Sequence, residues 1–146
     1  MPAAGSSRLY TPAILALAVK LADYPLTADL ALSGESRSRT CGSTVAVGLA
    51  CDSRGAISQT GLLVRACAIG QAAAALFAQG AAGRSEEELR RALLALEHWL
   101  TDVGPRPDWP GLDVLEPAIA YPARHGAILL PWKAAIAALG NRRTSG

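Results

Sequence analysis

Three cysteines stand in this chain, and two of them, Cys41 and Cys67, occupy positions where a thiol can do chemistry. The stretch from Cys41 to Cys67 reads as a cysteine in a tight Gly turn, two strands joined by Asp52-Ser53-Arg54-Gly55, and a second cysteine. Directly after Cys67, A-I-G-Q-A-A-A-A-L-F-A-Q starts a helix of small residues. A helix N-terminus stabilises a thiolate, so Cys67 reads as a soft ligand or a nucleophile, and the hairpin returns it towards Cys41. A metal site normally needs more than two protein ligands. The competing reading is that both are small buried hydrophobes, as free cysteines often are. Cys51 lies in phase with Val45, Val47 and Leu49 and reads as core. His125, in R-H-G-A near the start of the last helix, is a candidate third ligand; taken alone, such a histidine is more often structural. Arg124 beside it suits an anion or, more commonly, a surface ion pair, and His98 reads as solvated.

Composition narrows the function classes. The 146 residues fit one domain, expected over 1–146 with flexible tails at 1–7 and 141–146. Hydrophobic residues make up 51% but aromatics only 5%, so a core of small residues rather than stacked rings is expected. A net charge of +2 with mixed signs does not call for nucleic acid, and Trp99, Trp109 and Trp132 look too dispersed for a base-stacking platform. An odd number of widely spaced cysteines is a poor disulfide framework, which points to a reducing cytoplasm. The apolar run at 12–19 resembles the core of a signal peptide, but Lys20 and Asp23 interrupt it and it is too short to span a bilayer. No phosphate loop, dinucleotide fingerprint or nucleophile elbow is present, so no enzyme class is indicated.

The elements that must position the cysteines follow from periodicity. An amphipathic helix is expected at about 9–23, with Thr11 as N-cap and Pro12 at the first turn. Charges alternating from Glu35 to Arg39 suit an exposed edge strand. Two further strands run from Val45 to Cys51 and from Ala56 to Val64. A helix over 68–80 is expected to break at Gly80 and Gly83, and Ser85 with Glu88 forms a capping box for a helix reaching about Leu100. Residues 101–117 read as a Pro- and Gly-rich loop, Leu112 to Ile119 as a turn of helix, and Arg124 to Leu139 as a last helix ended by Gly140. The fold class is α+β: a small three-stranded antiparallel sheet packed against helices.

The order of these pieces resembles the U-type iron–sulfur cluster assembly scaffold family, the fold of IscU, SufU and the amino-terminal part of NifU. L-Y-T-P-A-I-L resembles that family's opening helix, and R-S-E-E-E-L resembles its G-x-S-x-x-E-L segment. Y-P-A-R-H-G-A-I-L-L-P-W-K-A-A-I resembles the closing P-x-R-x-x-C-A-x-L-x-W segment of the SufU branch, to which the Pro-rich 101–117 insertion also points. The resemblance implies a non-enzymatic scaffold that binds a [2Fe–2S] cluster, iron or zinc and works with a cysteine desulfurase and other assembly proteins, as a single chain or a homodimer. Cys41 and Cys67 match the first two ligand cysteines. Ser43 stands where the family has a ligand aspartate, and the third cysteine falls on Ala127, or on Gly126 with a one-residue slip. Serine is a poor ligand for zinc or iron, and alanine and glycine are none. The expected metal residues are therefore Cys41, Cys67 and His125, since imidazole can replace thiolate on iron or zinc. Two alternatives remain open: a docking or regulatory relative of a desulfurase that holds no metal, and a persulfide acceptor.

Overall fold

The computed structural model describes residues 9–145. Three strands, β1 (Leu32–Arg37), β2 (Thr44–Cys51) and β3 (Ile57–Arg65), form one antiparallel sheet in the order β1-β2-β3. The helices are α1 (Pro12–Val19, continued as a 3₁₀ turn Lys20–Asp23), α2 (Ala68–Ala81), α3 (Glu86–Leu100) and α4 (His125–Ser145). Two 3₁₀ segments, Leu112–Ala120 and Pro122–Arg124, join α3 to α4. The architecture is the expected α+β one, with β1 at an edge.

Pleating sends Val45, Val47 and Leu49 to one face, where all three are fully buried; α4 packs there on β1 and β2, and α2 on β3. The cross-strand partners of Val47 are Gly34 and Leu62. Gly34 lets α4 lie directly on the sheet: a Cβ there would land on the Ala134 carbonyl oxygen and 2.5 Å from the Ala138 nitrogen. On the other face, the segment after Tyr24 covers only half of the sheet. Leu26 and Leu30 sit over Gly48, and the Pro25 carbonyl sits over Gly61, at distances that leave no room for a Cβ. Tyr24 also accepts a hydrogen bond from the Leu62 amide (2.8 Å), which ties this cover to the β3 edge.

Several expectations change. The first helix has the expected Thr11 cap on the Ile14 amide (3.2 Å), but it is apolar nearly all round rather than striped, with Ile14 buried and Leu15 and Val19 exposed. Gly80 does not break α2; it is a socket for the Trp109 indole, whose Nε1 would lie 2.5 Å from a Cβ there. The chain turns instead at Gly83, where φ is +85°. The capping box and the limits of α3 are as expected, with Ser85 Oγ accepting from the Glu88 amide and Glu88 Oε1 from the Ser85 amide. Gly140 does not end α4, because its φ is not positive and the helix runs on to Ser145, through residues expected as a tail. Residues 1–7, expected as the other tail, lie outside the described residues.

The core is also less alanine-only than composition implied. Ala72 to Ala75 are fully buried, but Phe77, Trp109 and Trp132 meet at ring-centroid distances of 5.3–5.7 Å. The Trp109 indole donates to the Leu76 carbonyl (2.9 Å). These tryptophans are far apart in sequence and together in space, but they serve the interior. Cys51 is only half-buried, because a register irregularity between Ala50 and Cys51 takes it out of phase with Leu49. Among the described residues, no helix is long and apolar enough to cross a membrane.

Two glycine substitutions should have opposite signs. Gly34→Ala forces α4 off the sheet and should cost about 1–3 kcal/mol, whereas Gly140→Ala adds a Cβ into open helix surface and should stabilise by about 0.5–1 kcal/mol. Urea unfolding followed by circular dichroism reads both; equal midpoints for the two variants would contradict this packing.

Candidate functional site

The site lies at the end of the sheet where β1 ends, β2 begins and β3 ends, a row in which Thr44 pairs with Arg37 on one side and Arg65 on the other. The connection from β1 to β2 closes on itself. The Ser38 amide donates to the Ser43 carbonyl (2.9 Å), the Gly42 amide donates to the Ser38 carbonyl (3.0 Å), and Gly42 has φ +72°. That closure turns four side chains towards one another. Cys41 Sγ lies 3.0 Å from Ser43 Oγ and 3.5 Å from Ser38 Oγ, and Ser38 Oγ lies 3.0 Å from Thr40 Oγ1. Ser38 and Ser43 are buried while Cys41 is exposed.

The electrostatic consequence is direct. Hydroxyls of Ser38, then Ser43, hydrogen-bond the sulfur and favour its charged form, with smaller help from the Ser43 amide and Thr40; slight burial opposes them. The Cys41 thiol is held below the ordinary thiol range. Cys41 is thus exposed and biased to thiolate, the two properties a sulfur nucleophile or soft ligand requires.

Cys67 is the N-cap residue of α2, half-buried, with its carbonyl accepting from the Gln71 amide (2.9 Å). Both cysteines border the first turn of α4. A Cβ on Gly70 would lie 3.3 Å from Ala127 Cβ, and a Cβ on Gly126 would lie 2.6 Å from Ser38 Oγ and 3.3 Å from Thr40 Oγ1. The loop of Cys41 therefore packs on Gly126, and the start of α2 packs on Ala127. This answers whether a third cysteine's place is open. Ala127 is fully buried against α2, and the space beside Gly126 is filled by the Ser38 and Thr40 hydroxyls.

His125 Nε2 lies 3.0 Å from the Ala118 carbonyl and 3.2 Å from the Ile119 carbonyl. Carbonyl oxygens only accept, so Nε2 carries the proton and a neutral ring keeps its lone pair at Nδ1. A backbone carbonyl fixing the far nitrogen is the usual support of a histidine ligand, and equally of a structural histidine. Among the described residues, no group of three or more His, Cys, Asp or Glu side chains is arranged to hold a metal ion. The family's ligand set of three thiolates and a carboxylate does not fit one copy of this chain. Ser38 and Thr40 had no part in the sequence reading; the run S-R-S-R-T-C-G-S, with hydroxyls on both sides of a cysteine, was the available signal.

Removing the hydroxyls should move the thiol, not the fold. Ser38→Ala and Ser43→Ala should each shift the pH profile of Cys41 alkylation to higher pH, because a lost donor destabilises the thiolate. Iodoacetamide labelling with peptide-level mass spectrometry, with Cys67 as internal control, reads the shift; an unmoved Cys41 profile in both variants would discount the hydroxyl effect.

No protein-family model and no curated protein matches this sequence. Solved structures do. A nitrogen-fixing NifU-like protein (N-terminal) from Brucella abortus matches with TM-score 0.85 and 28% identity, covering 98% of this chain and 100% of that one. A putative iron–sulfur cluster assembly scaffold protein for the SUF system from Fervidobacterium islandicum matches with TM-score 0.73 and 21% identity over 90% of this chain and 96% of that one. The first likeness spans nearly the whole chain, cysteine loop included, and the second carries the same fold at lower identity. The chain is thus similar to a NifU-like amino-terminal domain and has the fold of a SUF-system scaffold, in line with the resemblance of its sequence to the U-type scaffold family.

Proposed function

We propose that this chain works in iron–sulfur cluster assembly as a non-enzymatic, scaffold-type protein acting through its thiols, with Cys41 as a sulfur-accepting thiolate and Cys67 as the neighbouring thiol. The observation that carries the reading is the hydroxyl cradle of Cys41, because it activates a thiolate without adding a metal ligand. The step is thiol exchange. The Cys41 thiolate attacks the terminal sulfur of a donor persulfide R–S–SH, the new S–S bond forms as the old one breaks, R–S⁻ leaves, and Cys41 carries the S–SH group. The fold likeness supports the process, since the two matched structures are named for a NifU-like protein and a scaffold of the SUF system. A cysteine desulfurase is the partner class that presents such a persulfide, and the cytoplasm is the compartment that keeps both thiols reduced.

A second reading has its own support. Two thiols per chain become four across a homodimer, which is the number a [2Fe–2S] cluster requires. On that reading the cluster is cargo completed outside one chain, with His125 Nδ1 as the donor a single chain adds for iron or zinc.

Anaerobically purified protein, before and after incubation with iron and sulfide, should separate the readings by iron, zinc and labile-sulfide content and a visible spectrum. The sulfur-acceptor reading expects no stoichiometric metal, and a sulfane sulfur on Cys41 after exposure to a persulfide donor, lost in Cys41→Ser. Half a [2Fe–2S] cluster per chain, abolished by either Cys41→Ser or Cys67→Ser, would establish the shared site instead. Neither sulfane sulfur nor metal would overturn both.

A further inference from the structure

The half of the outer sheet face left open by the segment after Tyr24 forms a groove lined by Glu35, Arg37, Thr44, Ala46, Leu63 and Arg65. Strand alternation puts it on the face opposite Ser38 and Ser43, on which the Cys41 sulfur lies, so what binds here is separate from the thiol chemistry. Its shape follows from the register. Arg37 and Arg65 flank Thr44 in one cross-strand row, and Glu35 and Leu63 flank Ala46 in the next. Small residues on β2 make the floor, and longer side chains on the two outer strands make the walls. The two arginines stand two strand spacings apart, about 10 Å between Cα atoms, a gap their side chains span from either side. Among the described residues, Arg37, Arg65 and Glu35 take part in none of the ion pairs, and the Thr44 hydroxyl in none of the hydrogen bonds. Two unpaired cations over one floor residue repel, and an anion between them removes that repulsion.

We infer that this groove is a binding site for a small phosphate monoester, its phosphoryl group held by Arg37, Thr44 and Arg65. The donor set carries the assignment. A phosphoryl group offers three terminal oxygens and a charge of about −1.5 to −2 at neutral pH. The row supplies two guanidinium forks, which match phosphate geometry, and a hydroxyl between them. A carboxylate has two oxygens and one charge, so it leaves part of that set unused. Glu35, one row further on, limits the ligand to one anionic group, because a second one reaching along the groove would meet its carboxylate. Exposed Leu63 faces Glu35 across Ala46 and gives the body of the ester an apolar contact. The groove holds about 390 Å³, the scale of a small metabolite. The inference goes beyond the sulfur-acceptor reading and shares no residue with it.

The test is an NMR titration of isotope-labelled protein at low salt, read from the amide shifts of Thr44, Ala46, Leu63 and Arg65. The probes are β-glycerophosphate (one phosphoryl group), glycerate (one carboxylate) and phosphoglycolate (one of each). β-Glycerophosphate should bind most tightly. Arg37→Gln/Arg65→Gln should weaken it by about tenfold. Arg54→Gln/Arg91→Gln removes the same charge elsewhere and should leave its affinity within about twofold of wild type. Glu35→Gln should tighten phosphoglycolate more than β-glycerophosphate. Binding should fade below about pH 6, where the ester takes up its second proton. Equal losses in the two double variants would reduce the effect to net charge and overturn the site, as would glycerate binding as tightly as β-glycerophosphate. The rate of Cys41 alkylation should not respond to saturating β-glycerophosphate; a response would place the ligand at the thiol and overturn the location. Failure of the groove leaves the sulfur-acceptor reading untouched, and loss of sulfane sulfur on Cys41 leaves the groove untouched.

Discussion

The close approach of α4 to the sheet is the contact on which the rest of this structure depends. It is possible only because Gly34 presents no side chain to the backbone of Ala134 and Ala138. Once α4 lies there, its first turn has to fall at the end of the sheet where β1 gives way to β2, against Ser38 on one side and the start of α2 on the other. Gly126 and Gly70 are the small residues that let those contacts close. The cysteines are brought to one end of the molecule by backbone proximity, with no cross-link between them.

That geometry makes the identity of residue 43 consequential. An aspartate beside Cys41 would offer a metal an oxygen ligand, but its charge would oppose the thiolate and raise the thiol pKa. A serine gives up the ligand and reverses the sign of its effect on the sulfur, since a hydroxyl 3.0 Å away donates to a thiolate. Ser38 and Thr40 reinforce the change and occupy the space beside Gly126. The departures at positions 43 and 126 therefore meet in one loop, through Ser38, which lies against both Cys41 and Gly126. The residues that exclude a third cysteine are among those that activate the first, which is why the sulfur-acceptor reading is preferred for this chain over that of a self-sufficient cluster holder.

Most of the architecture was legible because it is written in local signals. Strand alternation, the Ser85–Glu88 box and the Thr11–Pro12 start each depend on residues within a few positions of one another, and each appears where its pattern stands. The failures share a different cause. Gly80 and Gly140 read as helix breakers in the sequence, yet a glycine ends a helix through positive φ, and neither has it: Gly80 seats Trp109, and the helical backbone continues through Gly140. The aromatic cluster of Phe77, Trp109 and Trp132 was invisible for the same reason, since sequence separation says nothing about meeting in a core. At the site, Cys41 and Cys67 stood out by type and spacing. Ser38 and Thr40 did not, because a hydroxyl acquires meaning only when a loop folds it onto a sulfur.

The two faces of the sheet complete the logic. The inner face is covered by α2 and α4. The outer face is sealed only from Gly48 and Gly61 onward, where those glycines admit the Leu26 to Leu30 segment. At the other end, Thr44 and Ala46 carry the side chains that the glycines lack, and the charged neighbours Arg37, Glu35 and Arg65 would each lose hydration if a segment covered them. Extending the cover would bury three charges for little apolar gain, so the open half is a consequence of sequence rather than of an unfinished fold. The open half and its charge pattern thus have one origin, the switch from glycine to small side chains along β2.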